Sequence, residues 1–429
     1  MREESPPVSG QTGSSRIRRR VRRGLLAWLA VMGPGLLVML ADSDAGSLIT
    51  AAQSGSQWGY SLLSAQLILI PIVFVVQELT VRLGIVTGKG HGELIRDRFG
   101  RGWAWLSVGT LVVACAGAIA SEMSGIAGVG LIWGVPVWIS TSLVAVFLIA
   151  IVITGSYRRV ERVAILIGIF ELVFLVTMVM ADPQASQVAR GLATAPLGNP
   201  SYLFLVAANI GAVIMPWMIF YQQSAVVDKG LTLADMRASR WDTAVGSVVT
   251  QLVMIAMLIT CAATLWAGDE SSIDLDTVQQ ISTAITPHLG EFAGQVLFSL
   301  GMAGAALVAA IVASLTGAWG LGELTGYRRS LANSPREAPW FYLIYVLILV
   351  VGVVIIWSGV NIVDLNIAIQ VMNALLLPIV LGFLVVLAFK ALPPEHRLSG
   401  WYGSTVVVIA TGTTGIGVYA GVAGALGGG

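Results

Sequence analysis

Charge is what this chain has least of. Asp, Glu, Lys and Arg make up 11% of its 429 residues, against roughly 25% in soluble domains. Hydrophobic residues make up 56%, and mean hydropathy is +0.85, which excludes a water-soluble globular domain. Cysteine is confined to Cys115 and Cys261. Both sit in apolar stretches, so there is no disulfide framework and no Cys-based metal motif, and packing is the default reading. Histidine is confined to His91, His288 and His396, all in predicted loops. The apolar interior therefore holds no side chain that titrates near neutral pH and no His cluster for a tight zinc or copper site. A GxxxxGK[ST] loop is absent, as is any sizeable soluble segment to carry one, so this chain does not draw directly on ATP.

What is present is a series of apolar runs of about 20 residues, the length a helix needs to cross a bilayer. They bracket at 25–53, 59–81, 103–133, 136–154, 160–181, 201–227, 242–267, 292–322, 340–358, 364–389 and 402–424, about eleven spans. With the N-terminus in the cytoplasm and the sides alternating, every Lys and Arg except Arg190 falls inside, while a loop with Asp269, Glu270, Asp274 and Asp276 falls outside. The positive-inside rule thus supports both the count and the orientation. The Arg-rich stretch at 16–23 reads as the anchor of span 1, behind a polar, disordered start (residues 1–24 in all). Nucleic-acid binding and a cleaved signal peptide are poor readings, since the apolar stretch runs past Leu40.

Two spans are interrupted. Span 1 contains Ala41-Asp42-Ser43-Asp44-Ala45-Gly46-Ser47. A charge at mid-bilayer costs at least about 2.5–3.5 kcal/mol, so two carboxylates beside a Gly point to an unwound segment presenting oxygens to a cation. Span 6 contains Ala207-Ala208-Asn209-Ile210-Gly211-Ala212-Val213-Ile214-Met215-Pro216, with Gly and Pro as breakers. Small residues and proline in a span can also mark tight packing alone. Breaks five spans apart suit two inverted repeats of five helices, over residues 25–181 and 182–389, with span 11 and a short tail at 390–429.

Asp44 is the candidate primary ligand. Asp42 would point about 200° away on an intact helix, but an unwound segment removes that restriction. It either faces the ion, directly or through water, or lines an aqueous vestibule. Ser47 can add a hydroxyl, and backbone near Ala212 a carbonyl. Met215 reads as packing or as a soft ligand. Carboxylate, carbonyl and water suit magnesium, calcium and manganese, whereas thioether suits transition metals. Glu78, Glu122 and Glu171 are further intramembrane acids, for a proton or ion path or for hydrogen bonding between helices.

These residues, in order, resemble a known family. Gly33-Pro34-Gly35, Asp44-Ala45-Gly46-Ser47, Gly59-Tyr60-Ser61-Leu62-Leu63, Arg82 to Lys89, Arg158-Arg159-Val160-Glu161, Gly211 to Pro216 and Gln370 to Pro378 look like the NRAMP family of divalent-metal transporters. That resemblance implies an all-α integral membrane protein of LeuT-type fold. It also implies a metal site of Asp44, Ser47, Ala212 and Met215, to which the residue reading adds Asp42. The chain departs from the family pattern at telling places. The family's Asp-Pro-Gly-Asn reads Asp44-Ala45-Gly46-Ser47, and its His two residues after the Met is Trp217. The first acid of its span-3 Asp-x-x-Glu is Ile119, with Glu122 kept. The pattern is closer to the NRAMP-related magnesium branch, which implies passive transport of magnesium and manganese without proton coupling. The alternative is the family's usual proton-coupled manganese or iron transport, which Met215 favours. A sodium-coupled symporter of an organic carboxylate is disfavoured by repulsion from Asp42 and Asp44. The expected partners are divalent metal ions as substrate (Mg2+ or Mn2+, with no resident cofactor) and the lipid bilayer. The chain is expected to be a monomer in the plasma membrane, with no nucleic-acid partner and no enzymatic activity.

Overall fold

The structure, a computed structural model, describes residues 33–153, 157–266, 268, 274–284, 290–331 and 333–427. The tail at 1–24, the start of span 1, Asp269, Glu270 and His288 lie outside them, as do the side chains of Arg158 and Arg159. All described elements are helical. Among the described residues, nine helices are long and apolar enough to cross a membrane. The pair Pro34–Asp42 and Ala45–Trp58, bent by 47° at the join, makes a tenth, and the 17-residue apolar helix Val137–Ile153 takes the remaining place, span 4. Span 2 is Leu63–Thr87, span 3 Arg101–Ile132, span 5 Val160–Met180, span 6 Pro200–Asp228, span 7 Leu233–Leu265, span 8 Glu291–Thr325, span 9 Pro339–Trp357, span 10 Ile362–Lys390 and span 11 Gly400–Gly427.

Several boundaries differ from the apolar brackets by a turn or two. Span 2 runs on to Thr87 and span 7 starts before Arg237 and Arg240, because helices continue past the hydrocarbon with charged residues at their ends, where side chains reach water. Three short helices, His91–Phe99, Ala185–Ala193 and Val278–Thr283, lie in stretches that read as loops. They are too short and too polar for the span signal.

Spans 1 and 6 occupy the centre, and span 6 is almost wholly buried. Spans 4, 5 and 11 turn apolar residues such as Leu143, Val146, Leu166, Val179 and Val408 outward. Exposed tryptophans ring both ends: Trp103, Trp340 and Trp401 at one, Trp133, Trp138 and Trp357 at the other. This is the arrangement of aromatic residues at membrane interfaces.

The end carrying Trp103 is basic. There Glu78 of span 2, buried, is held by Arg82 (Nη2 to Oε1, 2.8 Å) and by Arg240 of span 7 (Nε to Oε1, 2.8 Å), and accepts from Tyr402 Oη of span 11 at 3.3 Å. Glu78 is therefore a structural tie, not the free acid of an ion path. His91 opens the helix His91–Phe99 and is fully buried, its Nδ1 3.0 Å from Gln223 Oε1.

At the same end Gly33-Pro34-Gly35 begins span 1. The first free N–H groups of a helix need acceptors, and Asp242 of span 7 supplies them. Its Oδ2 accepts from Gly33 N (3.0 Å) and Gly35 N (2.8 Å), and its Oδ1 from Leu36 N (3.2 Å). Gly33 has φ +145°, and a Cβ there would sit 2.0 Å from Glu161 Oε1. Glycine is required by both backbone and space.

Candidate metal site at two helix breaks

The first break follows from its own sequence. The helix Pro34–Asp42 ends at Ser43, and Asp44 takes an extended conformation (φ −66°, ψ 172°) as the N-cap of Ala45–Trp58. Its Oδ1 accepts from Ser47 N at 2.6 Å. Aspartate favours this role because its carboxylate satisfies a free N–H and meets the positive end of the helix dipole. Asp44 Oδ2 has no partner, and the residue is fully buried.

The second break comes from Pro216. The helix Pro200–Val213 would continue with the carbonyl of Ala212 accepting from residue 216, but proline has no N–H to give. The chain instead turns through Ile214 and Met215 in non-helical conformations and restarts at Pro216. The orphaned Ala212 carbonyl is taken by the Ser47 hydroxyl at 3.0 Å. The two breaks therefore touch. Asp44, Ser47, Ala212 and Met215 are brought together, each no more than 1% exposed. Met215 is the cap residue of the second half-helix, and its side chain makes no cap hydrogen bond.

Asp42 closes the first half-helix. Its Oδ2 accepts from Thr250 Oγ1 of span 7 at 3.3 Å, and Oδ1 has no partner. It is near enough to Asp44 for the two charges to act on each other. Glu122 of span 3 lies on the other side of Asp44, where its Oε2 accepts from Ala45 N at 3.1 Å and Oε1 is unpartnered.

Span 10 fits against both breaks, and Gln370 faces each of them. A Cβ on Gly46 would lie 2.5 Å from Gln370 Nε2, and one on Gly211 would lie 1.8 Å from the Gln370 carbonyl oxygen. Gln370 Nε2 has no partner. The residue reading did not single Gln370 out, although an amide in an apolar span is a visible signal. Asn209, in contrast, is fully committed. It donates to Ser54 Oγ (2.8 Å) and Leu205 O (2.7 Å) and accepts from Gln66 Nε2 (2.6 Å), tying span 6 to spans 1 and 2. Trp217 is buried within the second half-helix. Ile119 packs against Gly352 of span 9.

Among the described residues, no three His, Cys, Asp or Glu side chains converge as a ligand set for a metal ion. An ion at the breaks would draw on Asp44, a second carboxylate and neutral oxygens, the donor set of a hard cation. Cavities flank the level of the breaks. One of about 990 Å³, lined by Gln57, Tyr60, Gln187, Arg190, Asn199 and Asp274, opens between the far ends of spans 1 and 6. Another, of about 500 Å³, lies at the basic end beside Ser224, Asp228, Glu323 and Arg329. Asp44, Ser47, Ala212 and Met215 line neither of them.

Residues 35–423 match the family described as natural resistance-associated macrophage protein-like, Nramp. The divalent metal cation transporter MntH of Brucella suis biovar 1 (strain 1330) is 31% identical over 302 residues, 67% of this chain and 66% of that protein. That of Klebsiella pneumoniae (strain 342) is 29% identical over 314 residues, 72% of this chain and 74% of that protein. Among solved structures, the Eremococcus coleocola manganese transporter, bound to an aromatic bis-isothiourea substituted compound, superposes with a TM-score of 0.71 at 22% identity, covering 93% of this chain and 88% of that one. MhsT in complex with L-phenylalanine superposes with a TM-score of 0.59 at 15% identity, over 92% and 98% of the chains. The shared architecture is the LeuT-type fold.

Proposed function

Because this chain belongs to the Nramp family, we propose that it carries a hard divalent cation, magnesium with manganese also accepted, across the plasma membrane down its electrochemical gradient and without a coupled proton. The observation that carries this reading is the pair of breaks. Asp44 caps Ser47 N with one oxygen and keeps the other without a hydrogen-bond partner, while the Ser47 hydroxyl meets the Ala212 carbonyl of the second break. The relatives named divalent metal cation transporters support the cargo class. Magnesium loses its waters reluctantly and is usually held by one or two carboxylates with waters retained. Asp44 with Asp42 nearby, and the short Ser47 in place of a longer amide, suit a partly hydrated ion.

The absence of proton coupling rests on what stands at the family's proton-carrying positions. Trp217 and Ile119 have no proton to relay, and Glu78 is bound by two arginines. An inside-negative potential drives entry without any proton, since a double charge gains about 4.6 kcal/mol per 100 mV. The basic residues put the N-terminus in the cytoplasm and the basic end of the bundle inside. Spans 1–5 and 6–10 serve as the inverted repeats, and the chain works as a monomer.

A second reading, a proton-coupled manganese or iron transporter, is favoured by Met215 at the break and by the free oxygen of Glu122 beside Asp44. Liposomes holding both a magnesium and a pH indicator separate the two. Magnesium entry with no change of lumenal pH is the expected result. Manganese entry with lumenal acidification and no magnesium signal overturns the proposal.

A further inference from the structure

Glu171 has no role in the site described above, yet it is among the least satisfied groups in the protein. It lies in mid-span 5, where the helix tightens to a 3-10 turn over Ile169–Leu172. It is fully buried, and neither carboxylate oxygen has a hydrogen-bond partner. Its carboxylate faces the first break. Ser43 lies beside it, and Asp42 and Asp44 are near enough to act on it electrostatically.

Counting protons shows what is missing. Carboxylates only accept, and a hydroxyl donates one proton. The hydroxyls at this point are Ser43 and Thr250, whose oxygens are 2.8 Å apart. That bond consumes one proton. The other can reach a single oxygen among the four of Asp42 and Glu171, and Thr250 lies 3.3 Å from Asp42 Oδ2. Asp42 Oδ1 and both Glu171 oxygens lack a well-aligned hydrogen-bond donor, with the Ser43 hydroxyl the polar group beside Glu171. Neither residue forms an ion pair among the described residues. Buried carboxylates that meet no donor are costly unless a proton neutralises them or a cation compensates them.

We infer that Asp42, Glu171 and the hydroxyls of Ser43 and Thr250 form a second hard-cation subsite beside Asp44, taking a divalent ion of the same class as the cargo. Two carboxylates match a double charge, and all-oxygen donors suit magnesium or manganese with waters completing the shell. A pathway conducts when its sites are several and none holds the ion too deeply. Oxygens adjacent to Asp44 give a leaving ion its next set of ligands, on the side toward the start of span 1.

This inference rests on the reading of Asp44 as the transport ligand, and one experiment keeps the two apart. Mn2+ alone is titrated into the full purified chain and followed by equilibrium binding and electron paramagnetic resonance. Wild type is expected to take up two ions per chain, with spin–spin broadening at saturation. Glu171→Gln should lose the weaker ion and the broadening while keeping the tighter one. Asp44→Ala should do the reverse and lose the tighter ion. Saturation of wild type at one ion per chain overturns the subsite, as does a Glu171→Gln variant that keeps both ions. If Asp44→Ala keeps both ions, the reading of Asp44 fails instead. Should Glu171→Gln not fold, as judged by its elution, the wild-type stoichiometry and broadening still decide.

Discussion

Asp44 divides its two oxygens: one caps the restarted helix and the other has no hydrogen-bond partner, which is the basis of its proposed role as ligand. Asp44→Ala removes both. Divalent flux into liposomes should fall to background, with expression and elution unchanged and thermal stability lowered by about 1 kcal/mol for the lost cap. Unchanged flux would remove Asp44 from the site. His91 shows a different use of burial. Desolvation lowers its pKa from 6.5 to about 4, so the folded protein keeps it neutral at a pH where an unfolded chain would protonate it. Its contribution to stability is complete above pH 6.5 and declines as pH falls toward about 4. Melting curves across that window should show a steeper loss for wild type than for His91→Gln, and parallel curves would refute this. Neither His91's burial nor its partner Gln223 was legible from sequence. The intervening helix His91–Phe99 is polar, and its contact lies 132 residues away. Asp44 was legible because a carboxylate in an apolar span is costly wherever it points.

At the scale of elements, the breaks were readable and their registration was not. Pro216, Gly211, Gly46 and the paired acids announce interruptions through backbone chemistry alone. That the Ser47 hydroxyl would meet the Ala212 carbonyl depends on how two spans 165 residues apart are packed, which periodicity does not encode. Gln370 escaped for the same reason, since its importance lies in what it faces. Gly211 is the sharpest point of this packing. A Cβ there would collide with backbone, at 1.8 Å from the Gln370 carbonyl oxygen, and backbone cannot rotate aside. Gly211→Ala should separate spans 6 and 10 and cost about 1–3 kcal/mol of overpacking, seen as a lower melting temperature together with reduced flux. Gly102→Ala, at a position with open space around it, is the control that should change neither.

On the scale of the whole molecule, polar ties gather at the basic end. Glu78 joins spans 2, 7 and 11 through Arg82, Arg240 and Tyr402, and Glu161 of span 5 pairs with Lys229 beyond span 6 at 3.0 Å. Removing one member of a buried pair costs about 3–5 kcal/mol. Because Arg240 is 44% exposed and water softens its loss, Glu78→Gln should fall at the low end, about 3 kcal/mol. It should leave the response of flux to a pH gradient unchanged. A changed pH response would make Glu78 a proton carrier after all.

The cap that Asp242 places on the start of span 1 has a mechanical consequence. Three amide groups of the first half-helix are satisfied by a carboxylate belonging to another span. If that half-helix swings away alone to admit water from the basic end, all three lose their acceptor at once. If it keeps them, span 7 must travel with it, and Thr250, which touches Asp42, travels too. A door hung this way opens either as a pair of helices with one wall of the proposed ion pocket attached, or only when water has already arrived to replace the hinge.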